Sequence, residues 1–95
     1  MDPIEALGVL SVEAKRYLGR THAELSSLVE EPHHLEVPGP GAVRYQIEVS
    51  ATWDDKPGGT LRLFFSIDDG GLRAFAPLTR DALVEPGEAF DGELR

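Results

Sequence analysis

The stretch Val43-Arg44-Tyr45-Gln46-Ile47-Glu48-Val49-Ser50-Ala51-Thr52-Trp53 decides the fold. Val43, Tyr45, Ile47, Val49, Ala51 and Trp53 fall on one side, and Arg44, Gln46, Glu48, Ser50 and Thr52 on the other. Successive side chains of a β-strand point to opposite faces, so this alternation specifies a strand with one face in a core and one in water. The next apolar run keeps the same period. Leu61, Leu63, Phe65 and Ile67 share a face, while Thr60, Arg62, Phe64, Ser66 and Asp68 share the other. Leu72–Leu78 reads as a shorter third strand. The segment Asp68-Asp69-Gly70-Gly71 joins the second and third strands, and Asp69-Gly70 matches the centre of a two-residue type I′ hairpin turn. That turn sets a register in which Ile67 faces Leu72, Phe65 faces Ala74, Leu63 faces Ala76, and Phe64 stands beside Phe75 on the outer face. In the first hairpin, pairing Trp53 with Leu61 or Thr52 with Thr60 preserves face parity. Either leaves Asp54-Asp55-Lys56-Pro57-Gly58-Gly59 as a loop. Residues 79–95 read as a small hairpin, with a helical turn begun by Thr79-Arg80-Asp81-Ala82 as the alternative.

Upstream the period changes from two to 3.6. Ile4, Leu7, Leu10, Ala14, Tyr17 and Leu18 recur at helical spacing behind Asp2 as N-cap and Pro3 at the first helical position. Gly8 interrupts this helix, and Gly19 is its stop. Thr21-His22-Ala23-Glu24 has capping-box spacing, which predicts a second short helix ended by Pro32; alternatively the first helix runs on through Gly19 with a kink. The Pro- and Gly-rich residues 32–42 read as a connector. The expected architecture is therefore α+β. It is a single domain over residues 1–95, with residues 1–31 helical, 32–42 a connector and 43–95 a sheet. One or two N-terminal helices pack on an antiparallel meander of three to five strands. Leu7, Leu10, Tyr17, Ile47, Val49, Leu63, Phe65 and Ile67 form the expected core.

A chain of 95 residues supports one modest core. Seventeen acidic residues against nine basic ones give a formal net charge of −8. Such a chain is repelled by nucleic-acid phosphates and by anionic membrane surfaces, so neither is an expected partner. No apolar run approaches the ~20 residues that span a bilayer, and the N-terminus lacks the pattern of a secretory signal. The chain has no cysteine, so disulfide and thiolate chemistry are excluded. These features point to a cytoplasmic protein.

The motifs that carry chemistry elsewhere are weak here. The Asp54–Gly59 stretch lacks the alternating ligands and terminal Glu of a calcium loop. In a meander it lies at the opposite end of the sheet from Asp68–Gly71, about 25 Å away at ~3.3 Å per residue, so the two stretches cannot share an ion. Neither stretch has phosphate-loop spacing. His33-His34-Leu35-Glu36 has metal-ligand residue types, but adjacent side chains on an extended chain diverge. No serine lies in a nucleophile elbow. No catalytic residue, metal site or cofactor is expected, and an enzyme is the less favoured reading.

The segment Tyr45–Leu78, with its Trp-Asp-Asp-Lys-Pro-Gly-Gly loop and Ser-Ile-Asp-Asp-Gly-Gly turn before an aromatic-rich strand ending Pro-Leu, resembles a group of small bacterial proteins without an assigned activity. The resemblance implies a similar β-meander and brings no catalytic residues with it. Three functions are consistent with the residues. The favoured one is a non-enzymatic acidic interaction protein that binds or neutralises a basic protein, as an immunity or inhibitor protein would. Its contact surface would be Phe64 and Phe75, rimmed by Arg62 and Arg73. Leu83, Val84 and Phe90 are the segment that would otherwise fold over the two phenylalanines. The second is a homodimer joined through the Phe64/Phe75 sheet face. The third is a small enzyme or ligand binder at an edge where Asp54, Asp55, Lys56, Arg80 and Asp81 approach one another.

Overall fold

The computed structural model describes residues 2–71, 77–87, 90 and 92–95. Within them the chain runs as helix α1 (Pro3–Leu18), helix α2 (His22–Ser26) and a 3-10 turn (Ser27–Val29). The strands β1 (His33–Pro38), β2 (Arg44–Trp53), β3 (Leu61–Asp68) and β4 (Leu78–Val84) follow. The strands form one antiparallel sheet in sequence order, with the helices packed on one face, which is the α+β arrangement expected.

Helix α1 begins where Asp2 accepts hydrogen bonds from the Ile4 and Glu5 amides, 3.0 and 3.3 Å, satisfying two of the donors that every helix N-terminus leaves open. It stops at Gly19. The capping box at Thr21–Glu24 then starts α2, with Glu24 N–H donating to Thr21 Oγ1 and Thr21 N–H to Glu24 Oε1. Two helices rather than one kinked helix are thus formed. The buried face of α1 is Ala6, Leu10, Ala14, Tyr17 and Leu18. It is rotated from the expected stripe: Leu7 is only half-buried and Ile4 points away from the sheet. The small Ala6 and Ala14 sit one turn either side of Leu10 and bring the helix close to β3. The core is closed by Leu25, Leu28, Tyr45, Ile47, Val49, Ala51, Leu61, Leu63, Phe65, Ile67, Ala82 and Val84. Tyr17 meets Phe65 edge-on at 6.3 Å between ring centres.

Three expectations about the sheet are corrected. The connector contains a strand. In β1, Leu35 pairs with Ile47 and Val37 with Tyr45, so the half-buried residues His33, Leu35 and Val37 extend the core face of β2. Its edge position tolerates Pro38, and Gly39 then lies so close to the Tyr45 ring that a Cβ there would be 2.6 Å from Cε2. Second, the Asp68–Gly71 turn is not type I′. That turn needs positive φ at both central residues, whereas only Gly70 has it (φ 82°) and no non-glycine described residue does. Instead Asp68 Oδ1 accepts from the Gly70 amide at 2.8 Å and Asp69 Oδ1 from the Gly71 amide at 3.0 Å. Third, the partner of β3 is Leu78–Val84 rather than Leu72–Leu78. Ile67 faces Leu78, Phe65 faces Arg80, Leu63 faces Ala82 and Leu61 faces Val84. Residues 79–84 are therefore strand, neither a new hairpin arm nor a helical turn. Leu72–Ala76, with the expected site residues Arg73 and Phe75, lie outside the described residues.

The first hairpin follows the expected parity, with Trp53 opposite Leu61 and the Asp54 amide donating to the Thr60 carbonyl at 2.8 Å to close the loop.

Candidate functional site

The sheet face turned away from the helices carries His34 and Glu36 from β1. Arg44, Gln46, Glu48, Ser50 and Thr52 come from β2, Arg62, Phe64, Ser66 and Asp68 from β3, and Thr79, Asp81 and Leu83 from β4. All are polar or charged except Phe64 and Leu83. The register groups them in rows. His34, Glu48, Ser66 and Thr79 form one row, Glu36, Gln46 and Asp68 the next, Ser50, Phe64 and Asp81 a third, and Thr52, Arg62 and Leu83 a fourth.

Phe64 is 40% exposed in the middle of this face. Its cross-strand neighbours are Ser50 and Asp81, so the expected pairing with Phe75 is replaced by a carboxylate. The expected cover also goes elsewhere. Strand alternation sends Val84 into the core on the opposite face, and Phe90 packs against that same core. Leu83 alone stays on the outer face, half-buried.

Arg62 is the electrostatic centre at one end of the face. Its Nε and Nη2 donate to Asp54 Oδ1 at 3.2 and 3.0 Å, and its Nη1 donates to Asp81 Oδ2 at 2.8 Å. Arg95 Nη2 donates to the same Asp81 oxygen at 3.0 Å, while the Arg95 and Asp81 backbones exchange hydrogen bonds of 2.7 and 2.9 Å. The hydrogen bond to Asp54 is the first cause holding the Arg62 guanidinium above its ordinary value. The cluster thus gathers Asp54 and Asp81, as expected, around Arg62. Arg80 is separated from them: adjacent to Asp81 on a strand, it projects to the opposite face, across from Phe65. Asp55 turns back on the loop and accepts from the Lys56 amide at 2.7 Å.

Beside Phe64 lies a shallow groove of about 280 Å³ lined by His34, Gln46, Glu48, Ser66, Asp68 and Pro77. His34 Nδ1 is 3.6 Å from Glu48 Oε2, and Arg44 Nη1 is 3.2 Å from Glu36 Oε1. These exposed pairs are worth little in stability, on the order of 0–1 kcal/mol. Their effect is to hold carboxylates along one surface.

The three histidines have separate uses. His33 turns inward and shares a 2.8 Å hydrogen bond through Nδ1 with the Tyr17 hydroxyl. Its neighbour His34 turns outward, as the alternation of an extended chain requires. His22 Nε2 donates to the Gly59 carbonyl at 2.8 Å, which ties α2 to the Asp54–Gly59 loop. Among the described residues no group of His, Cys, Asp and Glu is placed to hold a metal ion, and no helix is long and apolar enough to cross a membrane. The Arg95 contact with Asp81 is the feature of the site that the sequence did not signal, because nothing in local spacing brings residue 95 alongside β4. Compared with models of known protein families, with curated proteins and with solved structures, the chain matches none.

Proposed function

We propose that the chain is a non-enzymatic acidic interaction protein and that its outer sheet face receives a basic protein, as an immunity or inhibitor protein does. The observation that carries the reading is Phe64, an exposed aromatic at the centre of a face whose other strand side chains are polar or charged, half-buried Leu83 apart. Interface centres are enriched in aromatic residues surrounded by a polar rim. Here the rim is supplied by Glu36, Glu48, Asp68 and Asp81, and the net charge of −8 steers a cationic surface toward it. Arg62 has a supporting part in this arrangement: it pairs with Asp54 in the hairpin loop and with Asp81, which stands across from Phe64. The family resemblance carried by the Trp53–Gly59 and Ser66–Gly71 motifs belongs to the same proposal and adds no residue to it.

The test is capture from an extract of the source cells on the immobilised chain, followed by binding measurements with the purified partner. The expected partner is a protein with a net positive charge, released by roughly 0.5 M salt, where the Debye length falls to a few ångströms. Phe64→Asp and the pair Glu36→Lys with Glu48→Lys should each weaken binding at least tenfold. Retention that neither variant changes, or a partner with no excess of positive charge, would overturn the proposal.

A further inference from the structure

The two edges of the sheet are finished differently. On β4 the edge is closed by Arg95, whose backbone exchanges hydrogen bonds of 2.7 and 2.9 Å with that of Asp81. On β1 the edge is open. The Gly39 amide donates to the Val43 carbonyl at 2.9 Å, in the same register that sets Pro38 opposite Arg44. Antiparallel ladders alternate between pairs that exchange hydrogen bonds and pairs that do not, so His33, Leu35 and Val37 are the residues bonded to β2. The backbone N–H and C=O groups of His34 and Glu36 therefore point away from the sheet, and no described residue bonds to them. Pro32 and Pro38 share their parity, which suits residues without an N–H to give. An edge of this kind accepts a β-strand.

The sequence of β1 selects which strand. If a second β1 runs antiparallel with Leu35 opposite Leu35, His34 of each copy stands opposite Glu36 of the other. Those residues then exchange backbone hydrogen bonds in both directions, and Pro32 lies opposite Pro38, so neither strand keeps an unmatched donor. On the outer face each imidazole meets a carboxylate. Glu36 already accepts from Gln46 and pairs with Arg44 in its own copy, but the two oxygens of a carboxylate have room for about four donors. On the core face, His33, Leu35 and Val37 are half-buried, because the helices pack chiefly on β2, β3 and β4. The same register sets Leu35 on Leu35 and His33 on Val37 there, covering what the helices leave open. A shift of two residues opposes His34 to His34 or Glu36 to Glu36, and a shift of one turns polar side chains onto the apolar face. We infer that a second copy of this chain pairs antiparallel along β1, with His34 opposite Glu36. A contact through one six-residue strand is smaller than a standard interface, so the dimer is a weak one, populated at micromolar concentration and above. It does not depend on any partner at Phe64.

Sedimentation from about 5 µM to about 1 mM should show a concentration-dependent dimer of the wild type. His34→Pro removes an outward N–H and leaves the β1–β2 ladder intact, so it should keep the circular-dichroism spectrum and lose the dimer. His34→Glu and Glu36→Lys should each raise the dissociation constant at least tenfold. An equimolar mixture of these two should restore the dimer, because the changed side chains then face each other with opposite charge. Because the chain contains no cysteine, any disulfide in a single-cysteine variant is intermolecular. Leu35→Cys should cross-link faster than His34→Cys or Glu36→Cys, since opposed residues of a pair without backbone bonds lie ~4.5 Å apart at Cα. Phe64→Asp should leave the dimer unaltered. A monomer throughout the range, a dimer that survives His34→Pro, a mixture no tighter than either variant alone, or faster linking at 34 or 36 would overturn the inference. Loss of the dimer in Phe64→Asp would also overturn it, by moving self-association to the outer sheet face.

Discussion

Tyr45 shows how one side chain joins three parts of the molecule. Its ring is buried under Gly39, and its hydroxyl donates to Glu5 Oε1 at 2.5 Å, linking β2 to the first turn of α1. That hydrogen bond, with burial adding to it, pushes the phenol up to about 12 from its ordinary value near 10. In the folded state the phenol therefore keeps its proton where the unfolded chain has lost it. The link contributes its full stability below pH ~10, and the contribution falls as pH rises from about 10 through about 12. Thermal denaturation of wild type and Tyr45→Phe between pH 8 and 12 checks this. Wild type should lose melting temperature more steeply above pH 10, whereas Tyr45→Phe, less stable at pH 8, should show a shallower decline. Equal slopes would mean that the hydroxyl does not sense the fold. Phe64 and Phe65 make a second comparison at this scale. They are chain neighbours of the same type, yet one is fully buried and the other 40% exposed, because a strand alternates.

At the scale of elements, the short helix α2 depends on its cap. Five residues cannot sustain a helix by propensity, since nucleation is unfavourable below about 12–15 residues. Both halves of the capping box are formed, and the Thr21 N–H is the first cause holding the Glu24 carboxyl below the usual range. Thr21→Ala should cost about 1 kcal/mol in chemical denaturation, within the ~0.5–2 kcal/mol seen for lost N-caps. The part of the loss that comes from the Thr21 hydroxyl donating to Glu24 Oε1 should shrink as pH falls through the Glu24 titration, because that bond favours the ionised carboxylate, while the backbone N–H bond survives the substitution. The effect should reach Trp53, since the His22 ring of α2 lies tilted against it at 5.8 Å between ring centres and His22 anchors the adjacent loop. A change in tryptophan fluorescence before the main unfolding transition would report local loosening of that corner. Strand β1 is legible only at this scale. Its His-His-Leu-Glu-Val-Pro sequence is too short and too interrupted by proline to stand out, and it becomes a strand because the edge of β2 is there to pair with.

At the scale of the molecule, one core joins both helices to all four strands, and Phe65 is at its centre. A domain of this length has roughly 5–14 kcal/mol of stability, taking ~0.05–0.15 kcal/mol per residue. Phe65→Ala should cost about 3–5 kcal/mol and lower the melting temperature by roughly 12–40 °C, at ~4–8 °C per kcal/mol for a domain of this size. The same change at Phe64 should cost under ~1 kcal/mol, because exposed side chains contribute little to folding. Comparable losses at the two positions would contradict the assignment of faces.

The local pattern determined what local physics controls. Alternation from Val43 to Trp53 and from Thr60 to Asp68 settled two strands, their faces and the Trp53–Leu61 pairing, because strand geometry repeats every two residues whatever surrounds it. The caps at Asp2 and Thr21 settled where both helices begin, because the groups they satisfy are within three residues. Tertiary structure decided the rest. The Asp68–Gly71 turn contains the residue types of a tight hairpin, but its aspartates bond to the following glycine amides, and β3 takes as partner a segment six residues further along the chain than that turn would supply. That longer connection places Asp81 rather than Phe75 beside Phe64, and with Arg62 and Arg95 it builds an ion cluster from residues distant in sequence. Which face of α1 is buried was likewise settled by fit. Ala6 and Ala14 allow a close approach to the sheet that Ile4 and Leu7 do not, and so Ile4, Gly8 and Val12 are left facing solvent.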